Sequence, residues 1–140
     1  MSGNANVQAH IAYELIDDDA PEVVVVEFLS PEITSSVHAL ELGEQLNSLI
    51  RPDLPRNYVI DFAKVRSLGS TAFGEIANFV RRVGRVRVCH LADTLQMGAT
   101  LIGLDDWVEF AESRKAAICD AIEDARRGEQ ETVDYPQLVG

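Results

Sequence analysis

The chain has 140 residues, 46% of them hydrophobic and 25% charged, and its formal net charge is −11. This length suits one domain with a buried core. The acidic charge argues against general nucleic-acid binding and against docking on anionic lipid. No apolar run approaches the roughly 20 residues that cross a bilayer, and the N-terminus lacks the regions of a secretion signal. We therefore expect a cytoplasmic protein without direct membrane insertion.

The cysteines and clustered acids do not form a recognisable metal motif. Cys89 and Cys119 lie far apart in apolar stretches, so they are interpreted as buried free thiols in a reducing compartment. A group of acidic residues lacks the spacing of a calcium loop and is interpreted as solvated surface. Its members are Asp105, Asp106, Glu109 and Glu112. We predict no metal site and no cofactor.

The first half of the chain predicts a hairpin and a helix. Residues 1–7 are small and polar and predict a flexible N-terminal arm. A strand over residues 9–16, an acidic turn over residues 17–21 and the β-branched run Val23–Phe28 predict a hairpin, whose second strand is covered on both faces. After a loop over residues 29–34, the spacing predicts a helix that Ser35 or Ser36 caps and that Arg51 and Pro52 end.

The second half alternates strands and helices. Strands are predicted over residues 58–62, 85–91 and 107–110. Helices are predicted from Ala72 to Gly84, from a cap at Asp93 to Gly103, and from a cap at Ser113 to Gly128. This order predicts an α/β fold with one domain over residues 8–127. Its mixed sheet has an N-terminal hairpin and then parallel strands, packed with about four helices. Residues 128–140 predict a polar C-terminal tail.

Two adjacent hydroxyls, Ser70 and Thr71, lie in the turn between the strand at 58–62 and the next helix. The turn places both near the positive end of that helix, where a dianionic phosphate is tolerated. We therefore interpret the turn as a protein-binding and phosphorylatable switch, not as an active site.

Three local patterns resemble the STAS domain family, the module shared by anti-sigma-factor antagonists and the tails of sulphate transporters. Residues 59–65 (VIDFAKV) are similar to the family's strand that ends in Asp. Residues 68–74 (LGSTAFG) stand where antagonists have Asp-Ser-Ser/Thr-Gly-Leu-Gly. Residues 86–91, a short helix and residues 102–105 are similar to the fourth strand and its following turn. The resemblance covers roughly residues 8–125.

The resemblance implies a regulatory binding module that acts in signal transduction and transcription regulation, and not an enzyme. In the family's partner-switching systems, an anti-sigma factor with a histidine-kinase-like ATPase fold phosphorylates the first hydroxyl. The unmodified antagonist binds this serine kinase and releases the sigma factor. The position of the motif makes Ser70 the phosphoacceptor and Thr71 its neighbouring hydroxyl. The implied partner-binding residues are Gly69, Ser70, Thr71, Ala72, Phe73 and Thr34.

The motif departs from the family pattern at three positions. Gly69 and Thr34 stand where antagonists have Asp, and Ala72 stands where they have Gly. Loss of the two acids removes local repulsion of a phosphate and also removes contacts that a kinase would use. A non-phosphorylated STAS scaffold subunit, in a signalling assembly or a transport system, is the alternative function.

Other features are given a structural and a functional interpretation. A serine hydrolase using Ser70 and His90 is disfavoured, because the Gly-x-Ser-x-Gly pattern is absent. His90 alternates with the strand's valines and is interpreted as a core or sheet histidine. Trp107 is interpreted as packing. Four basic residues form either a solvated surface or a docking patch for an acidic partner: Arg81, Arg82, Arg85 and Arg87. An exposed edge strand would allow a homodimer.

Overall fold

The computed structural model describes the backbone of residues 6–7, 10–16 and 23–139, and the side chains of residues 10–16 and 23–127. Within these residues the strands are β1 (Asn6–Val7), β2 (Ile11–Ile16), β3 (Val23–Phe28), β4 (Glu32–Ile33), β5 (Tyr58–Asp61), β6 (Ser67–Leu68), β7 (Val86–Cys89) and β8 (Glu109–Ala111). The helices are α1 (Ser36–Asn47), α2 (Ser70–Val83), α3 (Asp93–Leu101) and α4 (Arg114–Val139), with a 3-10 turn at Leu104–Asp106.

Six of these strands form one mixed sheet in the order β1-β2-β3-β5-β7-β8. The pairs β1–β2 and β2–β3 are antiparallel, whereas β3–β5, β5–β7 and β7–β8 are parallel. The parallel strands are joined by helical crossovers, as such connections require. The predicted α/β fold, with an N-terminal hairpin and later parallel strands, is confirmed. The predicted turn at residues 17–21 lies outside the described residues, whereas the two strands that it joins are described.

Helices cover both faces of the sheet. Side chains of β3 alternate between the two faces: Val24, Val26 and Phe28 pack in the large core with α1, α2 and α3. Val23 and Val25 pack on the other face, against Ala117 and Ala121 of α4. Burial on both faces explains why β3 is continuously apolar instead of alternating. The interpretation of β3 as a strand covered on both faces is therefore confirmed.

Helix ends follow the predicted capping residues in most places. The Ser35 hydroxyl accepts a hydrogen bond from the His38 amide, at 3.1 Å, and begins α1. Gly84 ends α2 with φ of 84°, a conformation that favours glycine. The Ser113 hydroxyl accepts from the Ala116 amide, at 3.1 Å, at the start of α4. Asp93 is the first residue of α3 and not its cap, which is Ala92.

Several boundaries differ from the sequence prediction. The helix α1 ends at Asn47 and not at Arg51, and β7 covers Val86–Cys89 instead of residues 85–91. Asn6–Val7, predicted within the flexible arm, pairs with β2 as a short strand. The loop at 29–34 contains β4, which pairs with β6. The last strand begins at Glu109 and not at Trp107, because the chain first makes a 3-10 turn. The helix α4 continues past Gly128 to Val139, and it includes both Gly128 and Pro136.

Among the described residues, the structure contains no helix with the length and apolarity that a membrane span requires.

Candidate functional site

The hydroxyl turn connects β6 to the start of α2. Gly69 is the N-cap residue of α2, and Ser70 and Thr71 are its first two helical residues. The first helical hydrogen bond runs from the Phe73 amide to the Gly69 carbonyl, at 3.0 Å. Because no side chain caps this end, the amides of the first turn point outwards without an intrahelical acceptor.

A two-stranded parallel sheet fixes the position of this turn. Glu32 pairs with Ser67 and Ile33 pairs with Leu68, and the Gly69 amide donates to the Ile33 carbonyl at 2.9 Å. A Cβ at position 69 would lie 3.2 Å from the Thr34 carbonyl oxygen, which is tighter than an ordinary contact. The structure therefore places Thr34 directly beside Gly69, and the close approach explains why a glycine suits this position.

The side chains of Ala72 and Phe73, which follow the two hydroxyls, pack in the hydrophobic core. Ala72 is fully buried and Phe73 is 7% exposed, so neither side chain is presented to solvent. The Phe73 ring lies against Gly98 of α3, where an added Cβ would come within 2.8 Å of the ring. These two residues thus act as core contacts, and any direct contact with a partner would come from Gly69, Ser70, Thr71 and Thr34.

The surface of the turn is polar but uncharged. Ser70, Thr71 and Thr34 are exposed, and within the described residues the two hydroxyls of the motif have no hydrogen-bond partner. The first turn of α2 carries no acidic residue. A negative group on Ser70 would therefore meet the positive end of the α2 dipole and no like charge within its own helical turn.

A second constellation lies at the carboxyl ends of the parallel strands. Asp61 ends β5, is 4% exposed and accepts three hydrogen bonds. The donors are the His90 ring at 2.8 Å, the Ala63 amide at 2.9 Å and the Arg114 Nε at 2.9 Å. Arg114 also donates to Glu27 at 3.1 Å. This group, which we call the Asp61 cluster, joins β3, β5, the end of β7 and the start of α4.

The hydrogen bonds of the cluster set the protonation of its buried groups. Burial acts to raise the pKa of Asp61, but the hydrogen bonds from His90, Ala63 and Arg114 outweigh it and hold the pKa below its usual range. Burial raises the pKa of the neighbouring Cys89 thiol to about 12, and the charge of Asp61 adds to this effect. At neutral pH, Asp61 is therefore ionised and the Cys89 thiol is protonated.

Two residues of the sequence prediction are placed differently by the structure. His90 is not a core residue: β7 ends at Cys89, and His90 takes a left-handed backbone, with φ of 60°, and is exposed. Cys119 is exposed, not buried, because the buried face of α4 contains Ala117 and Ala121 and position 119 points away from it. Cys89 is buried, as predicted.

The four arginines have partners within the chain. Arg87 forms ion pairs with Asp124 and with Glu109 and is only 12% exposed. Arg82 donates to Asn47 at 2.9 Å, and the Arg81 guanidinium lies 5.9 Å from the Trp107 ring centroid. The Arg85 guanidinium donates to the Asp124 carbonyl at 3.5 Å. These contacts favour the structural interpretation over a docking patch.

Trp107 is 47% exposed, so it is a partly solvated residue instead of a buried packing residue.

Comparison with protein-family models found no match, and a search of curated proteins likewise found none. Solved structures do match. The fold is similar to that of an anti-sigma factor antagonist from Mycobacterium paratuberculosis, with 25% sequence identity, a TM-score of 0.63, and 79% of this chain and 93% of that chain covered. It is similar to the Bacillus cell fate determinant SpoIIAA in its phosphorylated form, with 18% identity, a TM-score of 0.56, and coverage of 77% and 97%. It is also similar to RsbS from Moorella thermoacetica, with 16% identity, a TM-score of 0.57, and 80% of this chain and 96% of that chain covered.

The chain therefore has a STAS-like fold, and the resemblance read from its sequence is confirmed at the level of the fold. Its structural neighbours include proteins described as anti-sigma factor antagonists.

Proposed function

We propose that this chain is a non-catalytic regulatory module that binds a partner serine kinase of the anti-sigma-factor type, and that phosphorylation of Ser70 controls the binding. The observation that carries the proposal is the setting of Ser70. Its hydroxyl is exposed, has no partner among the described residues, and stands at the first position of an uncapped helix, where the resemblance places the phosphoacceptor. The fold shared with SpoIIAA, a protein solved in its phosphorylated form, supports it.

The electrostatics of the turn support a switch without a large structural change. A phosphoserine carries about −1.5 to −2 charges at neutral pH. At the start of α2 that charge would be stabilised by the unbonded amides and the helix dipole. The protein itself thus accepts the modification. A partner surface that matches a neutral hydroxyl would instead have to bury the new charge, which is costly. Phosphorylation should therefore weaken binding while the fold stays intact.

The test is a kinase assay on the full chain with a purified candidate kinase and Mg-ATP, read by intact mass. We expect the wild type and Thr71→Ala to gain the mass of one phosphate, whereas Ser70→Ala gains none. Thr71→Ala is the matched control because Thr71 is equally exposed and is the next residue of the same helical turn. No mass gain on the wild type, or a gain that Thr71→Ala abolishes, would contradict the assignment of Ser70.

Binding of the kinase should then depend on the modification. We expect the phosphorylated chain to bind at least about tenfold more weakly than the unmodified chain, which corresponds to about 1.4 kcal/mol. Calorimetry on both forms measures the ratio. Circular dichroism of both forms checks that the fold is unchanged.

The uncharged surroundings of Ser70 favour a second candidate, a scaffold subunit that is not phosphorylated. Gly69 and Thr34 leave no acid directly beside the acceptor, so a kinase that contacts such acids would find none. In this case the turn would line a constitutive interface. A partner that binds wild type and Ser70→Ala equally, without any mass gain in the presence of ATP, would favour the scaffold over the switch.

A further inference from the structure

Three side chains with metal-binding atoms converge at the carboxyl ends of β5 and β7. A carboxylate oxygen of Asp61, the sulfur of Cys89 and a ring nitrogen of His90 all lie within 4.8 Å of one another. Among the described residues, this is the one group of three such side chains that is close enough to share an ion. Asp61 and Cys89 are direct partners in the β5–β7 register, so their side chains project from the same face of the sheet.

The backbone at His90 brings the third side chain to this face. In a continuing strand, position 90 would point to the face opposite Cys89, because side chains alternate. His90 instead has φ of 60°, and its Nδ1 reaches Asp61 Oδ1 at 2.8 Å. The left-handed conformation is sterically unfavourable for a non-glycine residue. Such strained residues concentrate at functional sites, where the surrounding structure holds them.

The ligand set selects a particular class of cation. Sulfur and imidazole ligands suit zinc and related transition metals, whereas Ca²⁺ and Mg²⁺ require oxygen ligands. Three protein ligands with an open fourth position are a known tetrahedral arrangement of zinc. We infer that Asp61, Cys89 and His90 bind one Zn²⁺ ion, with a water molecule in the fourth position.

The separation of the nitrogen and oxygen ligands is close to the value in a tetrahedral zinc site. Ligand atoms around a tetrahedral zinc ion are about 3.3 Å apart, given bonds of about 2.0–2.1 Å to nitrogen and oxygen. The present separation of His90 Nδ1 and Asp61 Oδ1 is 2.8 Å, so the ring must retreat slightly. His90 is the exposed member of the group, with 41% of its side chain accessible, and can make this movement. The Arg114 Nε donates to the other carboxylate oxygen, Asp61 Oδ2, and would hold the carboxylate in a fixed orientation toward the ion.

Binding converts the Cys89 thiol into a metal thiolate. The S–H bond of Cys89 and the Nδ1–H bond of His90 are lost, and sulfur–zinc and nitrogen–zinc bonds form. The Cys89 proton passes to solvent, the His90 proton moves through solvent to Nε2 so that the ring stays neutral, and no electron is transferred. The ion would join the end of β5 directly to the end of β7. The site would therefore tether the strand end that precedes the hydroxyl turn in the chain.

The experiment uses the full chain after treatment with a chelator, with Co²⁺ as a spectroscopic probe of the zinc site. Stoichiometric binding with a thiolate-to-cobalt charge-transfer absorption, reversed by added Zn²⁺, is the expected result. Cys89→Ser should abolish that absorption, and His90→Ala should weaken Co²⁺ binding at least about tenfold. Cys119→Ser is the matched control, because it removes the exposed cysteine of the chain and should leave the spectrum unchanged.

The inference is overturned by any of three results. These are the absence of a charge-transfer absorption in the wild type, its loss in Cys119→Ser, and its persistence in Cys89→Ser. Because Cys89 is buried, circular dichroism must show that its variant is folded. If that variant is unfolded, the exposed His90→Ala decides, and an unchanged cobalt affinity in it overturns the site.

Discussion

The Asp61 cluster lies at the carboxyl end of β5, and the hydroxyl turn comes later in the chain, after β6, but the two regions are built in opposite ways. The turn is exposed and uncharged, and its two hydroxyls have no partner within the described residues. Asp61 is 4% exposed and accepts three hydrogen bonds. A buried charge is tolerated only when it is fully paired, whereas an exposed hydroxyl is hydrated at little cost. The cluster therefore stabilises the fold, and the turn is left available for recognition or modification.

The contrast predicts that the largest loss of stability comes from the cluster. Arg114→Met removes a cation from the buried carboxylate of Asp61. We expect the free energy of unfolding to fall by about 2–3 kcal/mol, which is less than for a fully buried pair because the Arg114 side chain is 34% exposed. Urea denaturation measures this change.

A double variant tests whether the loss comes from the charge. Asp61→Asn in the Arg114→Met background removes the unpaired carboxylate and should recover part of the stability. If Arg114→Met changes the free energy of unfolding by less than about 0.5 kcal/mol, as an ordinary surface substitution does, the cluster is not the stabilising element described above.

An intermediate effect is expected below the turn, at the contact between Gly98 and Phe73. In Gly98→Ala the new Cβ would lie 2.8 Å from the Phe73 ring, so the ring must shift within the core. Overpacking of this kind costs about 1–3 kcal/mol, and the higher helix propensity of alanine within α3 returns up to about 1 kcal/mol, so a net loss of up to about 2 kcal/mol is expected. Gly74→Ala is the control: it lies in α2 with no atom within 4 Å of an added Cβ, and should stabilise by up to about 1 kcal/mol. Equal effects in the two variants would contradict the contact.

A smaller effect is expected at the N-cap of α2. Gly69→Ala places a Cβ 3.2 Å from the Thr34 carbonyl oxygen and offers no capping group, so a loss of about 0.5–1 kcal/mol is expected. Gly69→Asp meets the same contact but supplies a carboxylate that can accept from the first-turn amides. Thermal unfolding should therefore rank Asp above Ala at this position. The reverse order would show that a carboxylate at position 69 does not cap the helix.

The smallest effects are expected at the hydroxyls themselves. Ser70→Ala and Thr71→Ala remove exposed groups without a partner among the described residues, so each should change the free energy of unfolding by less than about 0.5 kcal/mol. Chemical denaturation of both variants checks this. A larger loss in either would mean that the hydroxyl is structural, and would weaken the comparison between the two regions.

Sequence patterns predicted the elements that have a strong period or a distinct cap. The apolar run of β3, the caps at Ser35 and Ser113 and the glycine at position 84 were all correctly interpreted. The pairing of β4 with β6 was missed because two-residue strands have no measurable period. That pairing is what places Thr34 beside Gly69, which the sequence could suggest only through a family resemblance.

The Asp61 cluster shows what a linear pattern cannot predict. Asp61 and Cys89 are 28 positions apart and meet only because their strands are neighbours in the sheet. The alternation of β7 predicted a core or sheet His90, but the strand ends at Cys89 and His90 takes a left-handed backbone conformation, with φ of 60°. The order of the elements did contain a usable signal for this cluster. Consecutive parallel strands place their carboxyl ends at the same edge of the sheet, so residues at those ends are expected to lie close together.

Gly98 has a consequence for the shape of the surface around Ser70. Without a side chain at this position, α3 can lie directly against Phe73, so the width of the surface that spans α2 and α3 is set by one missing methyl group. Met97 and Leu101 of α3 are 71% and 82% exposed. The affinity of a protein that contacts both Ser70 and these apolar side chains would depend on the separation of α2 and α3 as well as on whether the Ser70 hydroxyl is modified.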